Sequence, residues 1–517
     1  MRGKIIAVDI GTTNMKALMF DPDGTILASR SISYALHTPN PDTAEQDPEE
    51  IFAAVLTGIS ELMKLSGISP EELLCIAFSS AMHSLMAMDE HHRPLTRSMT
   101  WADQRGREVA EKLNRTELGL SIYRSTGTPI HPMSPLVKLM WMKEHQSGIF
   151  ASAGKFIGIK EYVCFRLFGR YIVDHSIASA TGLFNLNSLS WDKQALQTAG
   201  IREDQLSEPV PTTYRLTGLM PEYASRLGIH PDTPFIIGAS DGVLANLGSG
   251  VMSTERMSVT IGTSGAVRTV VGKPAFDAGG RLFCYALAED FWVVGGPSNN
   301  GGLVLQWLAE QVFREKAELH KSQIGELYEK MLKLAEEIPP GSEGLLFLPY
   351  LTGERAPIWD ANAKGVYFGL SLRHEKKHML RSAMEGVIFQ IAAIASLLEG
   401  ISDRPKEIIA SGGFARSALW CQILADVQGI PVVVPETVES SGWGAAILGM
   451  YAMGVKETLV DPVAPDLHRG AEKVTRFAPI AANHSLYRRL LPIYQQVGRQ
   501  LTDSFQEITR FQSETQA

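Results

Sequence analysis

Two short turns in this sequence combine glycine with hydroxyl side chains, the residue types that bind phosphate. The first turn, Gly11-Thr12-Thr13, lies between two apolar runs, and the second, Gly262-Thr263-Ser264, follows a later apolar run. Glycine lets a backbone approach phosphate closely, and turn amides and hydroxyls hydrogen bond to its oxygens. Neither turn fits the motifs Gly-x-x-x-x-Gly-Lys-Ser/Thr or Gly-x-Gly-x-x-Gly. Either turn alone could be an ordinary hairpin turn, whereas the matched pair predicts a nucleoside triphosphate clamped from two sides.

The two turns differ at the position two residues before the first glycine. Asp9 stands there in the first turn and Thr260 in the second. A carboxylate beside phosphate is repelled unless a divalent cation lies between them, so Asp9 is predicted to bind Mg²⁺ directly or through water. One turn with a metal ligand and one without suit a single Mg-nucleotide.

A third glycine site, Ser411-Gly412-Gly413, lies between a predicted strand and a predicted helix. Ser417 is a candidate N-cap of that helix, whose backbone amides would then face a phosphate or ribose. A glycine pair here is also typical of a simple strand–helix turn. The predicted nucleotide-binding residues are Gly11, Thr12, Thr13, Gly262, Thr263, Ser264, Gly412, Gly413 and Ser417.

Asp241 is the candidate general base. It follows a predicted strand within GASDG at 238–242, where small neighbours leave room for a substrate. Phosphoryl transfer to an alcohol needs a group that accepts the hydroxyl proton, and a carboxylate at a strand end suits that role. The alternative is a structural aspartate in a turn before a helix.

Two nearby segments, SSAMHSLM at 79–86 and TWADQRG at 100–106, carry polar groups on short stretches of chain. Such groups hydrogen bond several hydroxyls while an indole ring forms a wall, as in a polyol site. A lone histidine or tryptophan is also common in a protein core. The predicted substrate-binding residues are Met82, His83, Trp101, Asp103, Arg105 and Asp241.

The composition of the chain excludes several classes of protein. Its 517 residues are too many for one core and predict two large domains. The formal net charge of −8, without a basic tail or Lys/Arg run, argues against nucleic-acid binding. Four scattered cysteines without a CxxC pair favour reduced thiols in a cytoplasm. The N-terminus is unlike a signal peptide, and no uninterrupted apolar run approaches a membrane span.

The elements that position these residues start with three short strands. Apolar runs at 4–9, 15–20 and 26–34, joined by tight turns, predict an antiparallel meander. Asp47 and Pro48 predict the start of a helix that continues to about Lys64. Further strands are predicted at 73–80 and 234–237, with mostly helical patterns at 104–230.

The beginning of the sequence recurs in its second half. MSVTIGTSGAVR at 257–268 matches IAVDIGTTNMKA at 6–17 in its apolar run, its turn and its strand-like return. This repeat predicts a duplicated α/β domain with a cleft between the copies. The predicted division is 1–250 for sugar and the first phosphate turn, and 251–517 for the nucleotide.

These motifs together resemble the FGGY family of carbohydrate kinases, over nearly the whole chain. Both family signatures are present, as MSPLVKLMWMKEH at 133–145 and GVYFGLSLRHEKKHMLRSAME at 365–385. The resemblance implies two α/β domains of the actin, Hsp70 and hexokinase (ribonuclease H-like) type, with ATP and Mg²⁺. It also implies that Asp241 is the catalytic base and Asp9 the metal-associated acid. Met82 and His83 match sugar contacts of related xylulose kinases, and the Trp-x-Asp-x-Arg segment matches the family's sugar site.

Within the family, the segments at 79–86 and 100–106 look most similar to the gluconate-phosphorylating members. That similarity implies transfer of phosphate to the hydroxyl farthest from the carboxylate, giving 6-phosphogluconate. The substrate carboxylate then needs a cation, for which the candidates are Arg105, Lys160, His83 and His131. A pentulose kinase stays open, as do a non-enzymatic sugar-sensing ATPase and a phosphatase. A small-molecule partner and a possible homodimer are expected, without nucleic acid or membrane.

Overall fold

The computed structural model describes residues 3–313, 321–435, 439–460 and 474–516. The chain divides into two units, each assembled from separate stretches of sequence. Unit 1 takes its described residues from Met1–Met252, Val270–Val294 and Glu439–Gly470. Unit 2 takes them from Ser253–Thr269, Gly295–Val438 and Ala471–Ala517. The division into 1–250 and 251–517 stays a prediction.

The described part of the chain contains both strands and helices in each unit. The strands are β1 (Lys4–Ile10), β2 (Asn14–Phe20), β3 (Ile26–Ser33), β4 (Glu45–Gln46), β5 (Leu73–Ser80), β6 (Met86–Met88), β7 (Ser98–Met99), β8 (Lys155–Ile157), β9 (Ile172–Asp174), β10 (Phe184–Asn185), β11 (Ser190–Trp191), β12 (Glu208–Val210), β13 (Arg215–Leu216), β14 (Phe235–Ser240), β15 (Arg256–Ile261), β16 (Gly265–Val271), β17 (Phe283–Ala288), β18 (Phe291–Ser298), β19 (Leu346–Leu348), β20 (Val366–Phe368), β21 (Glu407–Ser411), β22 (Val432–Val434) and β23 (Thr475–Phe477). The helices are α1 (Pro48–Ser66), α2 (Arg107–Asn114), α3 (Glu117–Thr126), α4 (Pro135–His145), α5 (Ser147–Ser152), α6 (Ile159–Phe168), α7 (His175–Ser179), α8 (Lys193–Ala199), α9 (Pro221–Leu227), α10 (Asp241–Gly248), α11 (Leu303–Leu308), α12 (Lys321–Glu336), α13 (Lys376–Leu398), α14 (Ala418–Gln428), α15 (Ser440–Ala452), α16 (Ala481–Gln500) and α17 (Thr502–Gln516).

Unit 1 contains a six-stranded sheet of order β13-β14-β5-β1-β2-β3. Strands β1, β2 and β3 pair antiparallel, as the three apolar runs predict. Strand β5 pairs parallel with both β1 and β14. Because the carboxyl ends of parallel strands lie at one edge of a sheet, the residues that follow β1, β5 and β14 meet there.

Both faces of this sheet are covered, which explains why β1 is apolar without alternation. Ile6 and Val8 belong to a core that includes residues of α1. Ile5 and Ala7 belong to the core on the opposite face, with residues of α10 and α15. Helix α1 starts where predicted, because the Asp47 side chain accepts a hydrogen bond from Glu49 N and caps it.

Strand β15 of the second sheet repeats the arrangement around β1. This sheet has seven strands in the order β17-β18-β16-β15-β21-β22-β23. Strand β15 pairs antiparallel with β16 and parallel with β21, as β1 does with β2 and β5. The repeat seen in the sequence therefore corresponds to a repeated strand–turn–strand unit with a parallel neighbour.

Helix α13 forms the core of unit 2. Among the described residues it is long and apolar enough to span a membrane, with a mean hydropathy of 1.3, but 89% of its apolar stretch is buried within the protein. Glu385 on this helix is 1% exposed and accepts hydrogen bonds from Gly341 N, Arg381 Nε and the Tyr487 hydroxyl at 2.7–2.9 Å. These contacts fit a core helix of a globular unit.

Candidate active site

The site of unit 1 lies along the carboxyl edge of its sheet. Asp9 is level with Ser79 in the β1–β5 pairing, and Ser240 is level with Ser80 in the β14–β5 pairing. Asp241 directly follows β14, and His83 lies three residues beyond the end of β5. The topology therefore gathers the predicted metal ligand, sugar contact and base at one edge.

Asp9 is held by two serine hydroxyls. Ser79 Oγ donates to Asp9 Oδ1 at 2.7 Å, and Ser441 Oγ donates to Oδ2 at 2.8 Å. Burial raises the pKa of Asp9, and the two serine hydrogen bonds oppose that rise. Sequence reasoning missed Ser441, which is 432 positions from Asp9 in the chain and lies in a segment without a recognisable motif.

The surroundings of Asp9 suit Mg²⁺ better than a metal held by protein ligands alone. Among the described residues, no three His, Cys, Asp or Glu side chains are grouped to hold a metal ion. Mg²⁺ keeps several waters and usually takes one or two carboxylates together with substrate phosphates. A single, partly buried carboxylate at a predicted phosphate turn fits Mg²⁺ that arrives with a nucleotide.

The carbonyl groups of the first turn are engaged within unit 1. The Tyr34 hydroxyl donates to Gly11 O and Gln46 Nε2 to Thr12 O, each at 2.6 Å. Tyr34 N donates to Thr13 O at 3.2 Å. Gly11 N donates to Asn14 O at 3.0 Å, so the amides of Thr12 and Thr13 are the better candidates to face an anion.

Trp101 is connected to this turn. Its indole Nε1 donates to Thr12 Oγ1 at 2.9 Å. The segment predicted to bind sugar therefore also supports the segment predicted to bind phosphate, a connection that the sequence did not suggest.

Arg105 forms ion pairs with carboxylates on either side. Its Nη2 lies 2.7 Å from Asp103 Oδ2 and 2.6 Å from Glu45 Oε1, and Asp103 is 1% exposed. The guanidinium also lies over the Trp141 ring, 4.7 Å from its centroid. Arg105 therefore stabilises the segment at 100–106, and its positive charge is compensated by two protein carboxylates.

His83 has a backbone conformation that is unusual for a residue with a Cβ. Its φ is +70°, and its side chain is buried. Nδ1 lies 2.9 Å from Ala180 O. Because a carbonyl oxygen can only accept, Nδ1 carries a proton and donates it to this oxygen. Met82, directly before it, is partly buried beside the core that contains Leu244 and Tyr285.

Asp241 is the first residue of α10. Its Oδ1 accepts a hydrogen bond from Gly242 N at 2.6 Å. Asp241 is partly exposed. Below it, Ser240 Oγ and Ser176 Oγ lie 3.0 Å apart and both residues are fully buried. The candidate base therefore directly follows a buried pair of serine side chains.

Lys160 and His131 were two further candidates for the substrate's carboxylate. Lys160 Nζ lies 2.5 Å from Asp174 Oδ2, with side chains 2% and 0% exposed, and also donates to Ile237 O and Ala239 O. The Lys160 ammonium is therefore used by Asp174 and by the backbone of β14, the strand that precedes Asp241. His131 Nδ1 accepts from Met133 N at 3.1 Å, so its Nε2 carries the proton in the neutral ring.

The second turn, in unit 2, is supported by a loop that sequence reasoning missed. Gly301 N donates to Thr263 O at 3.0 Å and Gly302 N to Gly262 O at 2.6 Å, while Gly262 N donates to Ser264 O at 2.9 Å. Glu354 fixes this loop by accepting from Asn299 N at 2.6 Å. A signal was present in the Asn-Asn-Gly-Gly sequence at 299–302, which is typical of a tight turn.

Thr260 and Ser411 repeat in unit 2 the contact of Asp9 with Ser79. Their residues are level in the parallel pairing, and their hydroxyl oxygens are 2.8 Å apart. The two positions thus correspond in structure as well as in sequence, and the carboxylate is present only in the first turn.

The third glycine site follows β21. Gly412 has φ of +93°, a left-handed conformation, and Gly413 begins a short 3₁₀ turn that ends at Arg416. Ser417 caps α14 as predicted, because its Oγ accepts from Trp420 N at 3.2 Å. The hydroxyl of Ser417 is thus used by the helix, and the glycine backbone is the better candidate for nucleotide contact.

Substitution of Gly412 by alanine is expected to weaken nucleotide binding and lower the Tm. A Cβ there would lie 2.5 Å from Ile261 O, which ends β15 beside the second turn, and would need an unfavourable φ. Gly413→Ala is the matched control, since its Cβ would meet no atom within 4 Å. We expect Gly413→Ala to keep the wild-type Tm, measured by differential scanning calorimetry. Equal Tm values for the two variants would contradict the expectation.

Comparison with known proteins covers almost the whole chain. Residues 4–248 match the family model described as FGGY family of carbohydrate kinases, N-terminal domain, and residues 257–453 match its C-terminal domain. A curated gluconokinase of Bacillus licheniformis is 45% identical over 515 residues, 99% of each chain.

Two solved structures from Lactobacillus acidophilus are similar to this chain. One is described as gluconate kinase and the other as ligand-bound xylulose kinase. Each superposes with a TM-score of 0.91 at 35% identity, covering 98% of this chain and 100% of that chain.

Proposed function

Because the chain belongs to the FGGY family of carbohydrate kinases, we propose that it transfers the γ-phosphate of ATP to D-gluconate, giving 6-phospho-D-gluconate. The predicted family and the predicted duplicated α/β fold are both confirmed. The observation that carries the proposed chemistry is the sheet edge of unit 1, where Asp9 lies at the end of β1 and His83 and Asp241 follow the neighbouring strands β5 and β14. The choice of gluconate is supported by the 45% identity to a gluconokinase.

Asp241 is the proposed general base. A sugar hydroxyl placed at the start of α10 gives its proton to this carboxylate as the oxygen attacks phosphorus. Ser240, directly before Asp241, is buried and lies 3.0 Å from Ser176 between hydroxyl oxygens, which restrains the chain at the proposed base. Because phosphoryl transfer depends mainly on positioning and charge stabilisation, a rigid base at a strand end suits it.

Asp9 is the proposed partner of Mg²⁺. Mg²⁺ supplies positive charge that compensates the phosphate oxygens of ATP. Ser79 and Ser441 orient the Asp9 carboxylate, and the amides of the turn after β1 bind phosphate. The turn at Gly262-Thr263-Ser264 and the Gly412-Gly413 backbone are the proposed nucleotide contacts of unit 2.

The histidines are the better candidates for the gluconate carboxylate. Arg105 and Lys160 are each paired with buried protein carboxylates. His83 and His131 have one ring nitrogen bound to main chain, at Ala180 O and Met133 N respectively. These hydrogen bonds fix the orientation of each ring, and a protonated imidazole would carry the positive charge that a carboxylate binds.

The proposed activity is tested by ADP release with gluconate, xylulose, ribulose and glycerol as acceptors. We expect gluconate to give the highest kcat/KM and the product to carry phosphate on the hydroxyl farthest from the carboxylate, as read by ³¹P NMR. Preference for xylulose would favour the alternative that the second Lactobacillus acidophilus structure supports. ADP release without a sugar phosphate would indicate a sensing ATPase or a phosphatase.

Removal of divalent metal is expected to abolish turnover, and added Mg²⁺ to restore it. Asp9→Asn should raise the Mg²⁺ concentration for half-maximal activity about 10- to 100-fold, because one ligand charge is lost. Asp21→Asn, which changes a surface pair with Lys4, is the control and should leave the Mg²⁺ requirement unchanged. Both are measured by titrating Mg²⁺ at fixed ATP. A wild-type Mg²⁺ requirement in Asp9→Asn would remove Asp9 from this role.

We also propose a cytoplasmic location and leave a homodimer as a prediction. All four cysteines are buried and free, which agrees with a reducing compartment.

A further inference from the structure

Lys138 is a buried cation that the proposed mechanism does not use. It lies on α4 within the first family signature, and 1% of the residue is exposed. Nζ donates to His83 O at 2.5 Å and to Thr100 O at 2.7 Å. An ammonium group has three N–H donors and no acceptor, so it can join carbonyl groups from separate segments.

The two acceptors belong to the segments that carry the proposed sugar contacts. His83 is itself one such residue, and Thr100 directly precedes Trp101. The segments already pair once, since Leu85 N donates to Met99 O at 3.0 Å and Met99 N to Leu85 O at 2.8 Å. Lys138 therefore extends this pairing by one residue on one strand and two on the other.

His83 needs such a restraint. A residue with a Cβ adopts φ of +70° only when its surroundings determine that conformation. The carbonyl of His83 is bound by Lys138, and its ring by Ala180 O at 2.9 Å. Hydrogen bonds to both the backbone carbonyl and the ring of His83 thus fix the orientation of the imidazole.

Thr100 connects Lys138 to the first phosphate turn through further hydrogen bonds. Its N and Oγ1 both donate to Ala44 O, at 2.9 and 3.1 Å. Trp101, next in the chain, donates to Thr12 Oγ1 at 2.9 Å. The direct contacts of Lys138 concern the sugar segments, and the phosphate turn is reached only through further residues.

The identity of the side chain is informative because a buried amine is costly. Burial disfavours its charged form and lowers the pKa of Lys138 to about 7, against the opposing charge of Asp103. Methionine has a similar length and would fill the same volume without that cost. We therefore attribute the presence of lysine at position 138 to its N–H donors and not to its volume.

We propose that Lys138 is a positioning residue for the sugar substrate, joining the His83 and Thr100 carbonyl groups so that the segments at 82–83 and 100–105 bind sugar together. It does not touch the substrate and acts through these two residues. The inference rests on the proposed sugar kinase activity, because it assigns a role at that site.

The test is Lys138→Met in the full chain, with Lys143→Met as the matched control on the exposed side of the same helix. We expect the sugar KM of Lys138→Met to rise about 10- to 100-fold, since two buried carbonyl groups lose their donor. The KM for Mg-ATP should stay within about twofold, since no direct contact to the phosphate turn is lost. Lys143→Met should behave as wild type.

Thermal shifts give a second readout that a general loss of structure would not produce. At a sugar concentration just sufficient to saturate the wild type, the rise in Tm should be much smaller in Lys138→Met, while the rise with Mg-ATP persists. An unchanged sugar KM, or equal losses for sugar and Mg-ATP, overturns the proposal. If Lys138→Met does not fold, the same measurements are made on Lys138→Gln, whose shorter side chain does not span both carbonyl groups, and the same selective rise in sugar KM is expected. Failure of both variants to fold overturns the proposal and assigns Lys138 to stability alone.

These outcomes are distinct from failure of the proposed function. A wild-type protein that phosphorylates no sugar contradicts the function before any variant is compared. A wild type that prefers another sugar moves the KM measurement to that sugar and leaves the inference about Lys138 testable.

Discussion

Asp241→Asn is expected to lower kcat about 10²- to 10⁴-fold, the range that a positioned general base contributes. The amide has almost the same shape as the carboxylate and keeps an oxygen for the hydrogen bond from Gly242 N. What it loses is the ability to accept the hydroxyl proton. The measurement is steady-state ADP release at saturating sugar and Mg-ATP, with the product confirmed as sugar phosphate.

The same variant should bind Mg-ATP nearly as well as wild type, because the proposed nucleotide contacts lie elsewhere. Isothermal titration calorimetry checks this directly. Asp232→Asn is the matched control, since its carboxylate is 92% exposed on the loop before β14 and should have no effect on kcat. Turnover of Asp241→Asn within about threefold of wild type would rule out the base assignment.

Lys160→Met is expected to destabilise the protein by about 3–5 kcal/mol, because it leaves the charge of Asp174 buried without its partner. The pair is 2.5 Å apart, with side chains 2% and 0% exposed. The Lys160 ammonium also donates to Ile237 O and Ala239 O in β14, the strand that ends directly before Asp241. The unfolding midpoint in urea should fall sharply, and kcat should fall with it at temperatures where the variant is folded.

Two further variants separate the charge effect from a packing effect. Arg202→Met removes one partner of an exposed pair with Asp204, with side chains 71% and 70% exposed, and should change stability by less than about 0.5 kcal/mol. Adding Asp174→Asn to Lys160→Met removes the uncompensated charge while an amide oxygen still caps Ile177 N. We expect this double variant to recover part of the lost stability. A loss below about 1 kcal/mol in Lys160→Met would show that the pair is not a buried structural element.

Local features were predictable because their physical causes are local. The meander of β1 to β3 follows from short apolar runs and tight turns, and α1 begins where Asp47 and Pro48 indicate. The repeat was visible because both copies need an apolar strand before a glycine turn. These patterns, with the two signatures, were sufficient for the family and the fold class.

The role of a charged residue was not predictable in the same way. Arg105, Lys160 and Lys138 are all basic residues near the predicted sugar segments. In the structure Arg105 is paired with Asp103 and Glu45, Lys160 with Asp174, and Lys138 with two carbonyl groups. A cation has the same appearance in a sequence whether its charge is compensated or available, because its partners come from distant segments.

The sequence by itself determined the family to which the chain belongs, and it was sufficient to predict the two phosphate turns and the roles of Asp9 and Asp241. The tertiary structure decided which groups surround them: Ser441 at Asp9 and the loop at 299–302 behind the second turn. The reason is that turns and strand ends depend on neighbouring residues, whereas hydrogen-bond partners depend on which strand ends and helices the fold brings together.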